Sequence, residues 1–335
     1  PLVKEAASRA IEKYGVNFSA SRHTTGTADI HIELERELSR FKGKDDSVVF
    51  ASGYLGNSIM IEVLRGGYSS IFIDESAHAS ILSAIRGEHA SVYSYRHCDP
   101  DHLGALLDKH GGPVPLIITD GVFALTGEIA PLDRIYPLVK RHNGILVVDD
   151  AHATGILGGT GKGTPEHFSL HAEEKILQTE TMSKALGGYG GFISGDKGLT
   201  DLIRGKSSTY QASTALPPPV VAAGIASLKI LNENPELRTD VLNKAAWIRE
   251  QVISLGFRTT SDSTPIIPLM FNAPGNAKSL SQYLEDNGII APFVNYPVRQ
   301  ELHLVRITVS AAHTAEQSEV LVKMLNNWKV RYENS

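Results

Sequence analysis

The chain is poor in the features that mark several large functional classes. It has one cysteine, Cys98, in 335 residues. An internal disulfide and a cysteine-based metal cluster are therefore excluded, and the thiol usage suits a reducing compartment. Charge of one sign does not dominate: 32 Lys and Arg stand against 37 Asp and Glu, a formal net charge of −5. No basic run interleaved with aromatics occurs, so the usual marks of a nucleic-acid or anionic-membrane partner are missing. No apolar stretch approaches the roughly 20 residues of a membrane span, and no secretory leader pattern is present. Internal repeats and low-complexity linkers are missing too. The expectation is a cytoplasmic protein with no membrane span and no nucleic-acid partner. The sequence opens on Pro1 rather than methionine, so an N-terminal piece is expected to be missing.

What is present is an ordinary globular composition, 42% hydrophobic and 21% charged, in a chain long enough for two domains. Val3, Ala7, Ile11 and Tyr14 recur at helical spacing. Ile30, Leu34, Leu38 and Phe41 give a second amphipathic helix, with Thr27 as its cap and Gly43 as its stop. Short apolar runs follow at 48–51, 71–73, 92–95, 116–118, 145–148, 176–178 and 191–194, with helical patterns such as 101–109 and 133–142 between most of them. Apolar strands alternating with helices predict a mainly parallel sheet covered on both faces. Pro217-Pro218-Pro219 marks a break. Long helices follow over 220–232 and 238–255, then mixed helices and strands such as 266–271 and 305–309. The expected organisation is an N-terminal helix and loop over 1–28, a large domain over 29–230, and a smaller α+β domain over 231–335.

In an open parallel sheet, ligands sit at the carboxyl ends of the strands. Polar residues converge there: Ser52-Gly53, Asp74, Asp120, Asp149 and Thr181 to Lys184. Lys184 lies in Thr181-Met182-Ser183-Lys184-Ala185-Leu186-Gly187-Gly188, directly after an apolar run. A second run, Ile145 to Val148, ends in Asp149-Asp150-Ala151-His152. A buried lysine amine can form a Schiff base with an aldehyde cofactor. A strand-end carboxylate can pair with a pyridinium nitrogen and keep the ring an electron sink. A nearby histidine can contact the phenolic oxygen. Together, Lys184, Asp149 and His152 point to pyridoxal 5'-phosphate (PLP) and an amine substrate. Asp150 reads as structural. Ser52-Gly53-Tyr54 opens a helix, where glycine lets backbone amides approach a phosphate. His78, in Asp74-Glu75-Ser76-Ala77-His78-Ala79-Ser80, is either a helix-start residue or a ring-stacking one. Lys162 follows Gly158-Gly159-Thr160-Gly161, but Ile156 and Gly163 break the P-loop pattern, and no metal-ligand set appears.

In this order the residues resemble the α-oxoamine synthases. The matching stretches are Ser21-Arg22 with Gly26 and His31 to Glu35, then Ala51 to Tyr54 with Asn57. They continue through His78-Ala79-Ser80, Asp120 to Phe123, Asp149 to His152, Thr181 to Lys184 and Ser213 to Pro218, ending at Arg306 to Val309 with Ala312-His313-Thr314. The resemblance implies an α/β fold of the PLP-dependent transferase type I, a seven-stranded mainly parallel sheet sandwiched by helices. It implies Lys184 as the Schiff-base lysine that moves the substrate α-proton, Asp149 at the ring nitrogen, His152 at the phenolic oxygen and His78 on the ring. It further implies Ser52, Gly53, Tyr54 and Thr181 at the phosphate, joined by Thr214 from the other subunit of a homodimer. Arg22 and Arg306 are the implied substrate residues, Arg306 for the amino acid carboxylate, a role that a bidentate guanidinium suits.

The implied reaction is a decarboxylating condensation of glycine, alanine or serine with an acyl-CoA or acyl-carrier thioester. Within the family, the pattern is nearest to 8-amino-7-oxononanoate synthase, with serine palmitoyltransferase and glycine C-acetyltransferase as alternatives. A PLP aminotransferase or lyase of the same fold, or a weakly catalytic PLP-binding subunit, are the other readings. Two departures stand out. Ala124 occupies the place of the family's usual serine, and the segment that normally precedes Pro1 is missing. Phe293 and Tyr296 are either acyl-path or core residues.

Overall fold

A computed structural model describes residues 1–294 and 303–332. The chain separates into two compact units, one of Pro1–Val122 with Ala130–Asn234, the other of Phe123–Ile129 with Pro235–Ser335. No helix among the described residues is long and apolar enough to cross a membrane.

The large unit is built on seven strands: β1 (Asp46–Phe50), β2 (Ser70–Asp74), β3 (Ser91–Tyr95), β4 (Pro115–Asp120), β5 (Ile145–Asp149), β6 (Ile176–Thr181) and β7 (Gly191–Gly195). They lie in the order β1-β7-β6-β5-β4-β2-β3. β2 to β6 pair in parallel, and β7 runs antiparallel to both its neighbours. All seven apolar runs read from the sequence are strands, and the α/β architecture matches that expectation.

Consecutive residues of a strand face opposite sides of the sheet, and here both sides are covered. Val48 and Phe50 pack with α3 (Tyr54–Leu64) residues Ile59 and Met60, whereas Val49 packs with α2 (Asp29–Lys42) residues Leu34 and Leu38. The same layer holds Val221 and Leu228 of α10 (Pro218–Glu233). Leu34 is fully buried, so its truncation to alanine would cost about 2–5 kcal/mol. α1 (Leu2–Tyr14) is the first helix of this unit.

α2 ends as its sequence dictates, with Gly43 at φ 65° and ψ 40°, the left-handed position that glycine occupies without a Cβ penalty. Its start differs from expectation. Ala28 is the cap residue, and the His31 ring nitrogen Nδ1 accepts the Ala28 N–H at 3.2 Å. Thr27 is instead engaged by Arg22, donating to its carbonyl and accepting from its Nε, both at 3.0 Å.

The small unit has a three-stranded antiparallel sheet in the order β8 (Ile266–Phe271), β10 (His303–Thr308), β9 (Phe293–Val294). With it stand α11 (Glu236–Ser254), α12 (Pro274–Asp286) and α13 (Ala315–Tyr332). The buried Trp328 of α13 stacks near Phe257 at 6.3 Å and meets Phe271 edge-on at 5.9 Å, geometries that aromatic pairs favour. Thr264, just ahead of β8, fastens Phe123–Ile129 to this unit, its hydroxyl donating to the Gly127 carbonyl at 2.9 Å. Tyr296 lies outside the described residues.

Candidate active site

Sheet register brings the acidic strand ends together. Asp120 of β4 stands opposite Asp149 of β5, and Asp149 opposite Thr179 of β6. Asp149 is 8% exposed, and a carboxylate so placed needs donors. It has them. Asn57 of α3 donates from Nδ2 to Oδ2 at 2.7 Å, the Ser80 hydroxyl lies 3.3 Å from the same oxygen, and the Ala151 N–H donates to Oδ1 at 3.2 Å. Neighbouring Asp120 is completely enclosed. Burial, then the negative charge of Asp149, pushes its carboxyl well above the ordinary range, against the pull of the His78 N–H donated at 2.9 Å.

His78 is the cap residue of α4 (Ala79–Ala84). Its Nδ1 accepts the Ser80 N–H at 3.2 Å and lies 2.7 Å from the Ser80 hydroxyl. Desolvation pushes the imidazole below its ordinary value, Asp149 pulls it up and the Lys184 charge pushes it down again. The Tyr54 ring meets it edge-on at 6.5 Å. His152 lies half-buried in the turn after β5. Lys184 is exposed in this chain, whereas the sequence reading placed it in the interior. The apolar run that suggested burial is β6 itself. That strand ends at Thr181, and Lys184 sits beyond it in a turn closed by the Gly187 N–H on the Lys184 carbonyl. Its charge is nonetheless felt at His78 and Asp120.

The residues expected at a phosphate lie at the start of α3 and the end of β6. α3 begins at Tyr54 with Gly53 as its cap, and Ser52 Oγ accepts the Tyr54 N–H at 3.3 Å. A Cβ on Gly53 would lie 2.7 Å from Thr181 Cβ and 2.8 Å from its Oγ1. Gly53 therefore allows the amino end of α3, with its positive dipole end, to close on the β6 terminus. Thr181 Oγ1 donates to the Gly190 carbonyl and accepts the Ser183 N–H. Thr214 is exposed and bridges to Ser21 of the same chain. A helix N-terminus for a phosphate, a buried carboxylate for a ring nitrogen and a lysine whose charge reaches Asp120 and His78 form a donor set that fits PLP.

The two expected substrate arginines have different surroundings. Arg22 makes a bidentate pair with the buried Glu35, at 2.9 and 3.0 Å. The pair lines a cavity of about 320 Å³ together with His23, Thr27, Ile32, Arg204 and Tyr210, so its fork is engaged within the chain. Arg306 on β10 donates from Nε to the Ala124 carbonyl at 2.7 Å. Its guanidinium is pushed down by desolvation alone, so no described carboxylate compensates its charge.

Asp150 is structural as expected, accepting from Thr164 and from Gln178. Lys42 reaches the buried Glu180 and the Lys162 carbonyl, which ties the rejected P-loop lookalike into the fold. Asp74 holds a loop: its oxygens accept from the Ser76 N–H, His97 Nδ1 and the Cys98 N–H. Asn57, Ser80 and Asp120 were quoted from the sequence without roles. Their signal was a polar residue at the start of a strongly apolar helix segment, or at a buried strand end.

Comparison with known proteins now decides the family. Residues 2–325 match the model of aminotransferase class I and II. The chain belongs to that family. Within it, the α-oxoamine synthase assignment is supported by relatives over nearly the whole chain. The 8-amino-7-oxononanoate synthase of Thermoanaerobacter pseudethanolicus is 39% identical over 328 residues, covering 96% of this chain and 82% of that protein. 8-Amino-7-oxononanoate synthase 1 of Bacillus velezensis is 36% identical, covering 98% and 84%. Among solved structures, a serine palmitoyltransferase from S. paucimobilis with a bound PLP–myriocin aldimine superposes with a TM-score of 0.95 at 28% identity, covering 100% of this chain and 85% of that one. The 8-amino-7-oxononanoate synthase of Francisella tularensis superposes at 0.83 with 26% identity, covering 99% and 94%. This α-oxoamine synthase is a PLP-dependent acyltransferase of fold type I.

Proposed function

We propose that this chain makes 8-amino-7-oxononanoate by condensing alanine with an acyl thioester. The product's name fixes the pieces. Carbons 8 and 9, with the amine, are alanine without its carboxylate. Carbons 1 to 7 are an acyl group ending in a carboxylate. Forming the bond between carbons 7 and 8 expels the thiol, normally CoA, and the amino acid's carboxyl leaves as carbon dioxide. The names of the relatives favour this over aminotransfer, which needs no thioester.

PLP, when bound, supplies an electron sink for the negative charge that develops on the amino acid's α-carbon. The protein's side chains do the rest. Asp149, fixed by the Asn57 carboxamide and the Ala151 N–H, would face the ring nitrogen. His78 would cover the ring and His152 would contact the phenolic oxygen. Lys184 Nζ would hold the cofactor through its aldehyde carbon and would accept the proton from the amino acid's α-carbon. Ser52, Gly53, Tyr54 and Thr181 hold the phosphate. We assign the amino acid's carboxylate to Arg306, because its charge lacks a described carboxylate. Arg22 would act in substrate binding through the cavity it lines, and Thr214 would complete the site from a second subunit in a homodimer working in the cytoplasm. Ala124 offers a main-chain carbonyl to Arg306 and no hydroxyl.

The observation that carries the residue assignments is Asp149, a buried carboxylate that accepts from the Asn57 carboxamide of another element. The test is the visible spectrum of purified protein given PLP, beside Lys184→Ala. Wild type should show a band that the variant lacks, alanine should perturb it, and an acyl-CoA should release CoA only when alanine is present. A band that responds to alanine with no CoA release would favour aminotransfer instead.

A further inference from the structure

One carboxamide ties the two ring-facing residues together. Asn57, buried near the start of α3, uses every polar atom it has. Nδ2 donates to Asp149 Oδ2 at 2.7 Å and to the Ser80 hydroxyl oxygen at 2.9 Å, while Oδ1 accepts from the Thr179 hydroxyl at 3.0 Å. Three elements thus fix its orientation, and Thr179 decides which end is the amide nitrogen. Ser80 stands next in line. Its hydroxyl has one proton and two candidate acceptors, His78 Nδ1 at 2.7 Å and Asp149 Oδ2 at 3.3 Å. The Ser80 backbone N–H already points at Nδ1, which makes that nitrogen an acceptor. The hydroxyl proton therefore goes to Nδ1, and the ring proton of neutral His78 resides on Nε2.

We infer that Asn57, acting through Ser80, is a positioning residue that locks the Asp149 carboxylate and the His78 ring, in one tautomer, into a single arrangement. This rests on Asp149 and His78 serving the cofactor as proposed above. The chain Thr179–Asn57–Ser80–His78 crosses from β6 through α3 to the start of α4, so a displacement of either ring-facing group is transmitted to the other. The titratable groups around it are Asp149 on β5, Asp120 on β4, Lys184 after β6 and His78 itself.

The test uses full-length holoenzyme as wild type, Asn57→Ala, Ser80→Ala and Ser80→Thr. Two quantities are read: the dissociation constant for PLP and the pH midpoint of the bound cofactor's visible band. A hydrogen bond to a charged group is lost in Asn57→Ala, so PLP binding should weaken roughly ten- to hundred-fold and the midpoint should move by on the order of one pH unit. Ser80→Ala should move the midpoint in the same direction, and Ser80→Thr, which keeps the hydroxyl, should restore it. Unchanged midpoint and affinity in folded Ser80→Ala would overturn the inference, and that variant decides the matter if Asn57→Ala does not fold. A wild type that gains no band would sink the cofactor roles together with this inference. A normal wild type with indifferent variants would overturn the inference alone.

Discussion

At the scale of single residues, the site is governed by two carboxyls on adjacent strands. Asp120 is pushed up by burial and by Asp149, whereas Asp149 is surrounded by donors. Since the native value of Asp120 lies above its unfolded value, its contribution to stability is complete below the ordinary carboxylate value and is lost as pH rises toward the native one. Asp120→Asn retains an oxygen for the His78 N–H and removes this titration. Urea unfolding at a series of pH values should show wild type losing stability relative to Asp120→Asn from about pH 4 upward. A difference that stays constant with pH would refute the assignment. Lys184 illustrates what a sequence conceals at this scale. Its neighbours in the chain are apolar, but the strand stops three residues earlier, and exposure follows from where β6 ends.

At the scale of elements, the closure of α3 on β6 is the feature to perturb. Gly53→Ala places a methyl 2.7 Å from Thr181 Cβ, and one of the two elements must retreat. Global stability should fall by about 1–3 kcal/mol, the cost of overpacking. PLP retention should fall more steeply than stability does, as measured by dialysis against phosphate-free buffer and by thermal unfolding of the same sample. Equal retention by wild type and variant would remove Gly53 from the cradle. Elements were the most legible part of the chain. Runs such as Ile145 to Val148 are uninterrupted, apolar and mostly β-branched, and burial on both faces leaves few alternatives. The start of α2 was misread because Thr27 has the chemistry of a cap, but its hydroxyl is taken by Arg22, and His31 serves the Ala28 N–H instead. The strand-end carboxylates and His78 were visible as motif residues. Asn57 and Ser80 gained their meaning only from contacts with distant parts of the chain, such as Asn57 with Asp149, 92 residues away.

At the scale of the whole molecule, the exposed Thr214 and the proposed second subunit make a sharp case. A mixture of Lys184→Ala and Thr214→Ala proteins, unfolded and refolded together, should recover activity that neither pure variant shows. One interface of the mixed dimer would then carry both intact residues, and random pairing makes about half the dimers mixed. Recovery that is absent although mixed dimers form would place Thr214 outside a shared site.

The pairing of β1 with β7 reaches beyond the finished molecule. Ser47 and Ser194 share a hydroxyl contact of 2.7 Å while standing 147 positions apart in the chain. At a synthesis rate of roughly 5–20 residues per second, β1 is made some 7–30 seconds before its strand neighbour β7 exists. During that interval a wholly apolar stretch, Val48 to Phe50, has no sheet to join. α2 is made just ahead of it, and its Leu34 and Leu38, which cover Val49 in the folded chain, are the apolar surface at hand to shield the strand while its sheet is still being made.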